Sequence, residues 1–459
     1  MSEELHWLSA AELLRAYRSR RLSPVEVTRA LLERIERLNP RLNAFCRVDG
    51  EGALEAARIS EARWARGEPV GLLDGVPVSL KDVVLVKGFP TLYGSKTVDP
   101  DQPWDEDGPA AARLREHGAV LLGKTCTPEF GHRFTTDSPL TGITRNPWNP
   151  ERSPGGSSGG AGAALAAGLG PLAIGSDGGG SIRIPSAWCG VVGFKPTFGR
   201  VPAYPASRWG TLSNVGPLAR SVEDAALLFT VITEPDARDW YALPPDPRDY
   251  RIGLEEGVRG LRIAFSPDMG LAKVEPAIAA AVEAAVGLFS ELGAEVERVE
   301  PPGIGTAPET YTALKGVMLT QALAAMTPEQ REVADPILVE LAEPGTSVPA
   351  RDYQRALLQR QEIGTTMHAF LNRYDLLLTP SFHFSPLPVP GLPAELRSPL
   401  LTSWVNQTMQ PAASVPCGLT AENLPVGLQI VGPRYADARV LRAARAYESA
   451  RGTFARAPV

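Results

Sequence analysis

Apolar residues along this chain recur with two periods. Val27, Leu31, Ile35 and Leu38 recur every three to four residues, the spacing of one helix face. Two capping boxes mark helix starts: Ser9-Ala-Ala-Glu12, and Ser23-Pro-Val-Glu26 with Pro at the first helical position. Another helix follows Glu51. Short apolar runs at Gly75–Leu80, Ala119–Leu122, Leu172–Gly175 and Cys189–Phe194 read as buried strands or apolar segments. Ala110–His117 and the small-residue stretch Ala161–Ala167 read as helices between them. Leu261–Ser266, Pro276–Leu292 and Ala294–Val299 predict a β-α-β unit. Residues 307–370 read as mostly helical, and Tyr374–Thr379 and Val426–Val431 as late strands. Strands alternating with helices predict an α/β fold, with a large mixed β-sheet flanked by helices on both faces. The Pro-, Asp- and Arg-rich stretch at 234–260 predicts a surface excursion within a single domain spanning residues 1–459.

Charge and composition narrow the function classes. The chain has 459 residues, 46 basic and 52 acidic, with a net charge of −6. The charges are interspersed, which argues against a nucleic-acid or anionic-membrane binder. The first residues are acidic and lack the basic and apolar regions of a signal peptide, so a cytoplasmic location is expected. Cys46, Cys126, Cys189 and Cys417 form no CxxC pair and read as reduced structural thiols; no zinc-ligand spacing appears. The longest uncharged run, Ser153 to Ser176, has the length of a membrane span, yet its 24 residues include eight Gly and two Pro.

That run changes the picture once its glycines are placed. Eleven of the 44 Gly fall between positions 155 and 180, in Pro154-Gly-Gly-Ser157-Ser158-Gly-Gly160 and Gly175-Ser-Asp177-Gly178-Gly179-Gly180-Ser181-Ile-Arg183. Successive backbone N–H groups without side chains can converge on one anionic oxygen. A serine closing such a run can attack a carbonyl whose oxygen those groups hold. A serine nucleophile needs a base, and no His is near either motif in sequence. The other option is a neutral, buried lysine. Only seven of the 46 basic residues are Lys, and Lys81 ends an apolar strand. Burial lowers a lysine pKa enough for it to accept a proton near pH 7.

These segments, together with Gly75-Val-Pro-Val-Ser-Leu-Lys81-Asp82, Gly193-Phe-Lys-Pro-Thr197, Val215-Gly-Pro-Leu-Ala-Arg220 and Pro425-Val-Gly-Leu-Gln-Ile-Val-Gly432, closely resemble the amidase signature family, from Ser9 to Glu448. The resemblance implies the amidase signature fold and a Ser–cis-Ser–Lys triad. Ser181 would be the nucleophile, Ser157 the bridging serine after a cis peptide, and Lys81 the base. It also implies an oxyanion hole from the amides of Gly178, Gly179, Gly180 and Ser181. Ser158 would support the triad, and Asp177 and Arg183 would shape the loop. No metal or cofactor is implied. The family often carries Thr or Ile where this chain has Gly178, so a widened pocket floor is expected there.

Other readings of the same residues carry their own expectations. Gly155-Gly-Ser157-Ser-Gly159 fits the nucleophile elbow of an α/β-hydrolase-type esterase using Ser157, which needs a strand before the serine. Gly118-Ala-Val-Leu-Leu-Gly123-Lys124-Thr125 fits a P-loop, but its middle is bulky and apolar, like a strand. Lys195, Cys189 and Cys417 read as structural. His383 reads equally as a pocket or a structural residue.

The resemblance implies amide hydrolysis through an acyl-enzyme, extending to esters or carbamates. Phe130, His132, Phe134, Tyr204, Trp209, Phe382, Phe384 and Trp404 are the candidate pocket residues, and their aromatic content points to an aryl or apolar amide. The alternative within the family is the glutaminase component of a glutamyl-tRNA amidotransferase complex. The expected partner is a small-molecule amide, with no nucleic acid and no membrane, on a monomer or homodimer.

Overall fold

The computed structural model describes residues 5–301, 303–391, 393 and 398–459. Both capping boxes form. Ser9 caps the helix Ala10–Arg18 and Ser23 caps Pro24–Leu42, each serine side chain accepting from the third helical amide. Val27, Leu31, Ile35 and Leu38 are buried as their spacing predicts.

Eleven strands form one sheet. In chain order the strands are β1 (Phe45–Val48), β2 (Pro77–Lys81), β3 (Val120–Thr125), a separate two-stranded hairpin of β4 (Asp137–Ser138) and β5 (Gly142–Ile143), β6 (Leu172–Asp177), β7 (Val192–Lys195), β8 (Asn214–Ala219), β9 (Arg262–Phe265), β10 (Glu295–Arg298), β11 (Leu376–Pro380), β12 (Ala412–Leu419) and β13 (Pro425–Val431). The spatial order is β1-β3-β2-β6-β8-β7-β12-β13-β11-β9-β10. β3, β2 and β6 run parallel at one end, and β11, β9 and β10 at the other, with antiparallel pairs between. The sheet is mixed, as expected.

Alternation along the strands buries both faces. Val78, Leu80, Leu172, Ile174, Leu376, Leu378, Leu428 and Ile430 join one core, with the helices Val222–Ile232, Pro276–Glu291 and Asp437–Arg451. Val120 and Leu122 point the other way, onto the helices Pro24–Leu42 and Gly50–Arg66. Leu377, Ala412 and Val431 do likewise, onto Ala350–Leu371 and Leu400–Gln407. Helices therefore cover both faces, the packing that parallel strands require.

Residues 234–260 carry one turn of 3-10 helix, Leu254–Glu256, and no longer helix or strand. The stretch is only partly a surface excursion. Trp240 is exposed, whereas Tyr250, Leu254 and Val258 are buried in the larger core. Residues 307–370 form the helices Ala307–Ala324, Pro328–Val333, Pro336–Ala342 and Ala350–Leu371. The uncharged run from Ser153 becomes loop, the eight-residue helix Gly159–Ala166 and β6. Among the described residues no helix is long and apolar enough to cross a membrane.

That short helix passes so close to its neighbours that side chains are excluded. A Cβ on Gly160 would meet the backbone of Cys126 and Ala44, which cannot give way. Gly160→Val should therefore cost about 1–3 kcal/mol or more. Urea unfolding of the variant measures this, and an unchanged midpoint would contradict the close approach.

Candidate active site

Lys81 closes β2, and Ser176 and Asp177 close β6, the parallel strand beside it. Parallel strands open their binding crevice at their carboxyl ends, and the site lies there. The chain before the helix Gly159–Ala166 brings Ser157 to the same place. The Gly156–Ser157 peptide is cis.

The Lys81 amine is fully buried. It donates to Ser157 Oγ at 2.6 Å and to Ser176 Oγ at 2.9 Å. Burial pushes its pKa down to about 7, opposed by the negative charge of Asp177. Ser176 was not singled out from sequence, although it stands within the glycine motif. Its signal was the pairing of β6 with β2, which a sequence does not display.

Ser181 and Ser157 line one cavity. Ser158 ties their two loops together. Its amide donates to Ser181 O at 3.1 Å. Its hydroxyl donates to Ser176 O and accepts from Ser176 N.

The loop from Asp177 to Arg183 is held from behind by buried charge. Asp177 and Arg183 form a fully buried ion pair, with Arg183 Nη2 to Asp177 Oδ1 at 2.9 Å and Nε to Oδ2 at 3.0 Å. The guanidinium also donates to Thr402 O, Gln429 Oε1 and Asn406 Oδ1. Burial alone would raise the Asp177 pKa, but the charge and hydrogen bonds of Arg183 hold it well below the usual carboxylate range. Asp177 also accepts from the Gly180 amide at 2.7 Å and the Ile182 amide at 3.1 Å.

That contact corrects the expected oxyanion hole. The Gly180 amide is committed to Asp177 and is unavailable to a substrate oxygen. The amides of Gly178, Gly179 and Ser181 have no acceptor among the described residues.

The cavity has a volume of about 350 Å³. Phe130, His132, Phe134, Tyr204 and Trp209 line it, as expected. Phe382 and Phe384 do not. They pack behind Phe134 and against Trp188, with the Phe134–Phe382 centroids 5.2 Å apart. Trp404 is fully buried in the core with Leu401 and Phe370. Aromatic residues in apolar segments pack into cores as readily as they line pockets, and composition does not separate the two. Tyr93, Ile184, Tyr311 and Lys315 line the cavity and were not named from sequence. Tyr311 and Lys315 come from the helix Ala307–Ala324, far along the chain.

Gly178 lines the cavity beside Trp209, and a Cβ there would meet the indole at 3.5 Å, an ordinary van der Waals contact. Trp209 Nε1 donates to Phe130 O at 3.2 Å and fixes the ring.

The competing motifs resolve into packing. Residues 120–125 of the P-loop pattern are the buried strand β3, and Lys124 donates to Val84 O and to Thr91 Oγ1. Burial brings Lys124 down to about 8. The segment Pro147–Pro154 ahead of Ser157 holds no strand, so the elbow lacks its context. Lys195 lies buried with its amine on Pro196 O, and Cys189 is buried. Burial pushes Cys417 up to about 12. His383 sits between the rings of Phe382 and Phe384, and burial lowers it to about 4. Among the described residues no group of three or more His, Cys, Asp or Glu could hold a metal ion.

Comparison with known proteins accounts for this arrangement. Residues 26–441 match the family model described as Amidase. The chain belongs to the amidase signature family. It is 38% identical to an acylamidase of Rhodococcus erythropolis, over 98% of this chain and 96% of that one. It is equally 38% identical to the A-type subunit of the glutamyl-tRNA(Gln) amidotransferase of Salinispora tropica, over 98% and 99%. Among solved structures, a bacterial aryl acylamidase of the amidase signature family superposes with a TM-score of 0.90 at 33% identity, covering 97% of each chain. The peptide amidase of Stenotrophomonas maltophilia gives 0.84 at 28%, covering 96% of each. The protein is thus an amide-hydrolysing enzyme.

The buried ion pair generates a prediction. Arg183→Leu leaves the Asp177 carboxylate without its cation and should cost about 3–5 kcal/mol. Chemical denaturation measures the loss, and a cost below about 1 kcal/mol would contradict the role given to the pair.

Proposed function

We propose that this enzyme hydrolyses aryl or otherwise apolar amides through an acyl-enzyme on Ser181, with Ser157 and Lys81 relaying the proton. The observation that carries the reading is the dry Lys81 amine, held on Ser157 with its pKa brought to about 7.

In this mechanism neutral Lys81 takes the Ser157 hydroxyl proton while Ser157 takes that of Ser181, and Ser181 Oγ attacks the carbonyl carbon. The amides of Gly178, Gly179 and Ser181 meet the developing oxyanion. The proton returns through Ser157 to the leaving nitrogen, the C–N bond breaks, and the amine departs. Water then enters, gives its proton to the same relay and releases the acid. Protonating the amine is the demanding part of amide cleavage, and the relay does it without histidine.

The cavity lining supports an apolar substrate. Phe130, Phe134, Tyr93, Tyr204 and Trp209 surround the serines. The described lining residues include no Asp or Glu. Free glutamine carries an ammonium that an enclosed site must pair with an anion. Arg133 in the lining is paired with Asp137 and Asp335, and Arg208 lies over the Phe130 ring. A described lining without Asp or Glu favours a stand-alone amidase over the glutaminase component of a complex. Esters and carbamates present the same acyl carbon and belong in the same substrate test.

Two outcomes follow. Because Lys81 acts in its neutral form, kcat/KM should rise about tenfold per pH unit below 7 and level off above it, and Lys81→Ala should remove nearly all activity while the protein stays folded. A pH–rate profile on the purified chain, with circular dichroism of the variant, checks both; full activity of Lys81→Ala at pH 7 would overturn the relay. A panel of acetanilides, short aliphatic amides, glutamine, esters and carbamates should show the anilides favoured over the aliphatic amides, with the ratio falling about tenfold in Trp209→Ala, roughly 1.4 kcal/mol of barrier. Glutamine turnover exceeding that of anilides would instead support the glutaminase reading.

A further inference from the structure

Tyr311 reaches the cavity floor from the helix Ala307–Ala324. Its ring packs with Leu212, Leu314 and Ala356, and the residue is only 4% exposed. The hydroxyl lies directly against Gly179. A Cβ on that glycine would collide with the Tyr311 oxygen, so the close approach requires glycine there.

A buried tyrosine hydroxyl ordinarily finds a hydrogen-bond partner. This one has none among the described residues. The loop amides of Gly178, Gly179 and Ser181 also lack an acceptor among the described residues. Gly178, Gly179, Ser181 and Tyr311 all line the same cavity, and these four donors have no acceptor among the described residues. Such a cluster is satisfied by an oxygen bearing negative charge, brought by a substrate. Burial, with the charge of Asp177 adding to it, pushes the Tyr311 phenol above its ordinary range, so the hydroxyl keeps its proton at working pH.

We propose that Tyr311 is a catalytic residue whose hydroxyl donates to the acyl oxygen as it becomes the tetrahedral oxyanion, completing the hole that Gly180 leaves short of one donor. The inference rests on the reading of Ser181 as nucleophile. The phenol keeps its proton throughout, and only the strength of its hydrogen bond changes as charge builds on the oxygen.

The conservative variant Tyr311→Phe keeps the ring packing and removes only the donor. With an anilide substrate it should lower kcat by about 10- to 1,000-fold and leave KM within about twofold, the pattern of a contact made in the transition state alone. An aryl trifluoromethyl ketone, which forms a tetrahedral adduct with a serine, should bind the variant more weakly by a similar factor. The corresponding aryl acid product should bind both forms equally. Leu314→Ala, which disturbs the same packing without removing a donor, should lower stability and leave the ratio of adduct to product affinity unchanged. Wild-type kcat in Tyr311→Phe, or equal ketone affinity in the two forms, would overturn the assignment. Peptide mass spectrometry of the wild-type protein treated with a fluorophosphonate, which phosphonylates an activated serine irreversibly as fluoride leaves, separates this from the reading beneath it: a label absent from Ser181 sinks the nucleophile, whereas a label on Ser181 with no Tyr311 effect sinks only this inference.

Discussion

The site depends on burying one amine at the end of a strand whose parallel neighbour ends in a carboxylate that stays charged. Lys81 and Asp177 end adjacent parallel strands, and both are fully buried. A bare carboxylate there would hold the lysine in its ammonium form. Asp177 is paired through both oxygens with the Arg183 guanidinium, and its charge still opposes the shift at Lys81. Desolvation then dominates at Lys81 and brings its pKa to about 7. In the proposed relay, burial outweighs the Asp177 charge and leaves Lys81 able to serve as the base. Helix and strand partners, through Thr402, Asn406 and Gln429, hold the guanidinium in that position.

The same carboxylate shapes the loop that follows it. By accepting from Gly180 and Ile182, Asp177 turns the chain so that Ser181 lines the cavity and the amides of Gly178, Gly179 and Ser181 remain unspent. Thr402 Oγ1 donates to Gly179 O from the far side and fixes the loop there. Two of the glycines are needed because the neighbours crowd in: Tyr311 over Gly179 and Thr402 over Gly180. A run that looks flexible as a sequence is held in the fold by close neighbours at Gly179 and Gly180.

Much of this was legible before the structure. The two capping boxes, the parallel β-α-β unit of β9 and β10 and the short strand ending at Lys81 follow from local patterns, and local patterns survive folding where neighbours agree with them. The two serine motifs were legible because each is a contiguous run. What was not legible depends on residues far apart in the chain. Ser176 gains its contact with Lys81 only through the pairing of β6 with β2. Tyr311 reaches Gly179 across 132 positions, from a segment readable only as helical. Phe382, Phe384 and Trp404 misled because an aromatic cluster behind a cavity has the same composition as one that lines it. The Gly180 amide misled because a glycine run does not reveal which of its N–H groups a nearby carboxylate will take.

The proposed chemistry stands on a lysine that is neutral at physiological pH, and that state can be observed without turnover. The chain has only seven lysines, so selective 13C labelling at lysine Cε gives a sparse spectrum in which Lys81 is assigned by its absence from Lys81→Met. Following that resonance across the pH range should show a midpoint near 7, well below the roughly 10.4 of a lysine in a model peptide. A Lys81 resonance that keeps the chemical shift of an ammonium up to pH 10 would contradict a neutral base.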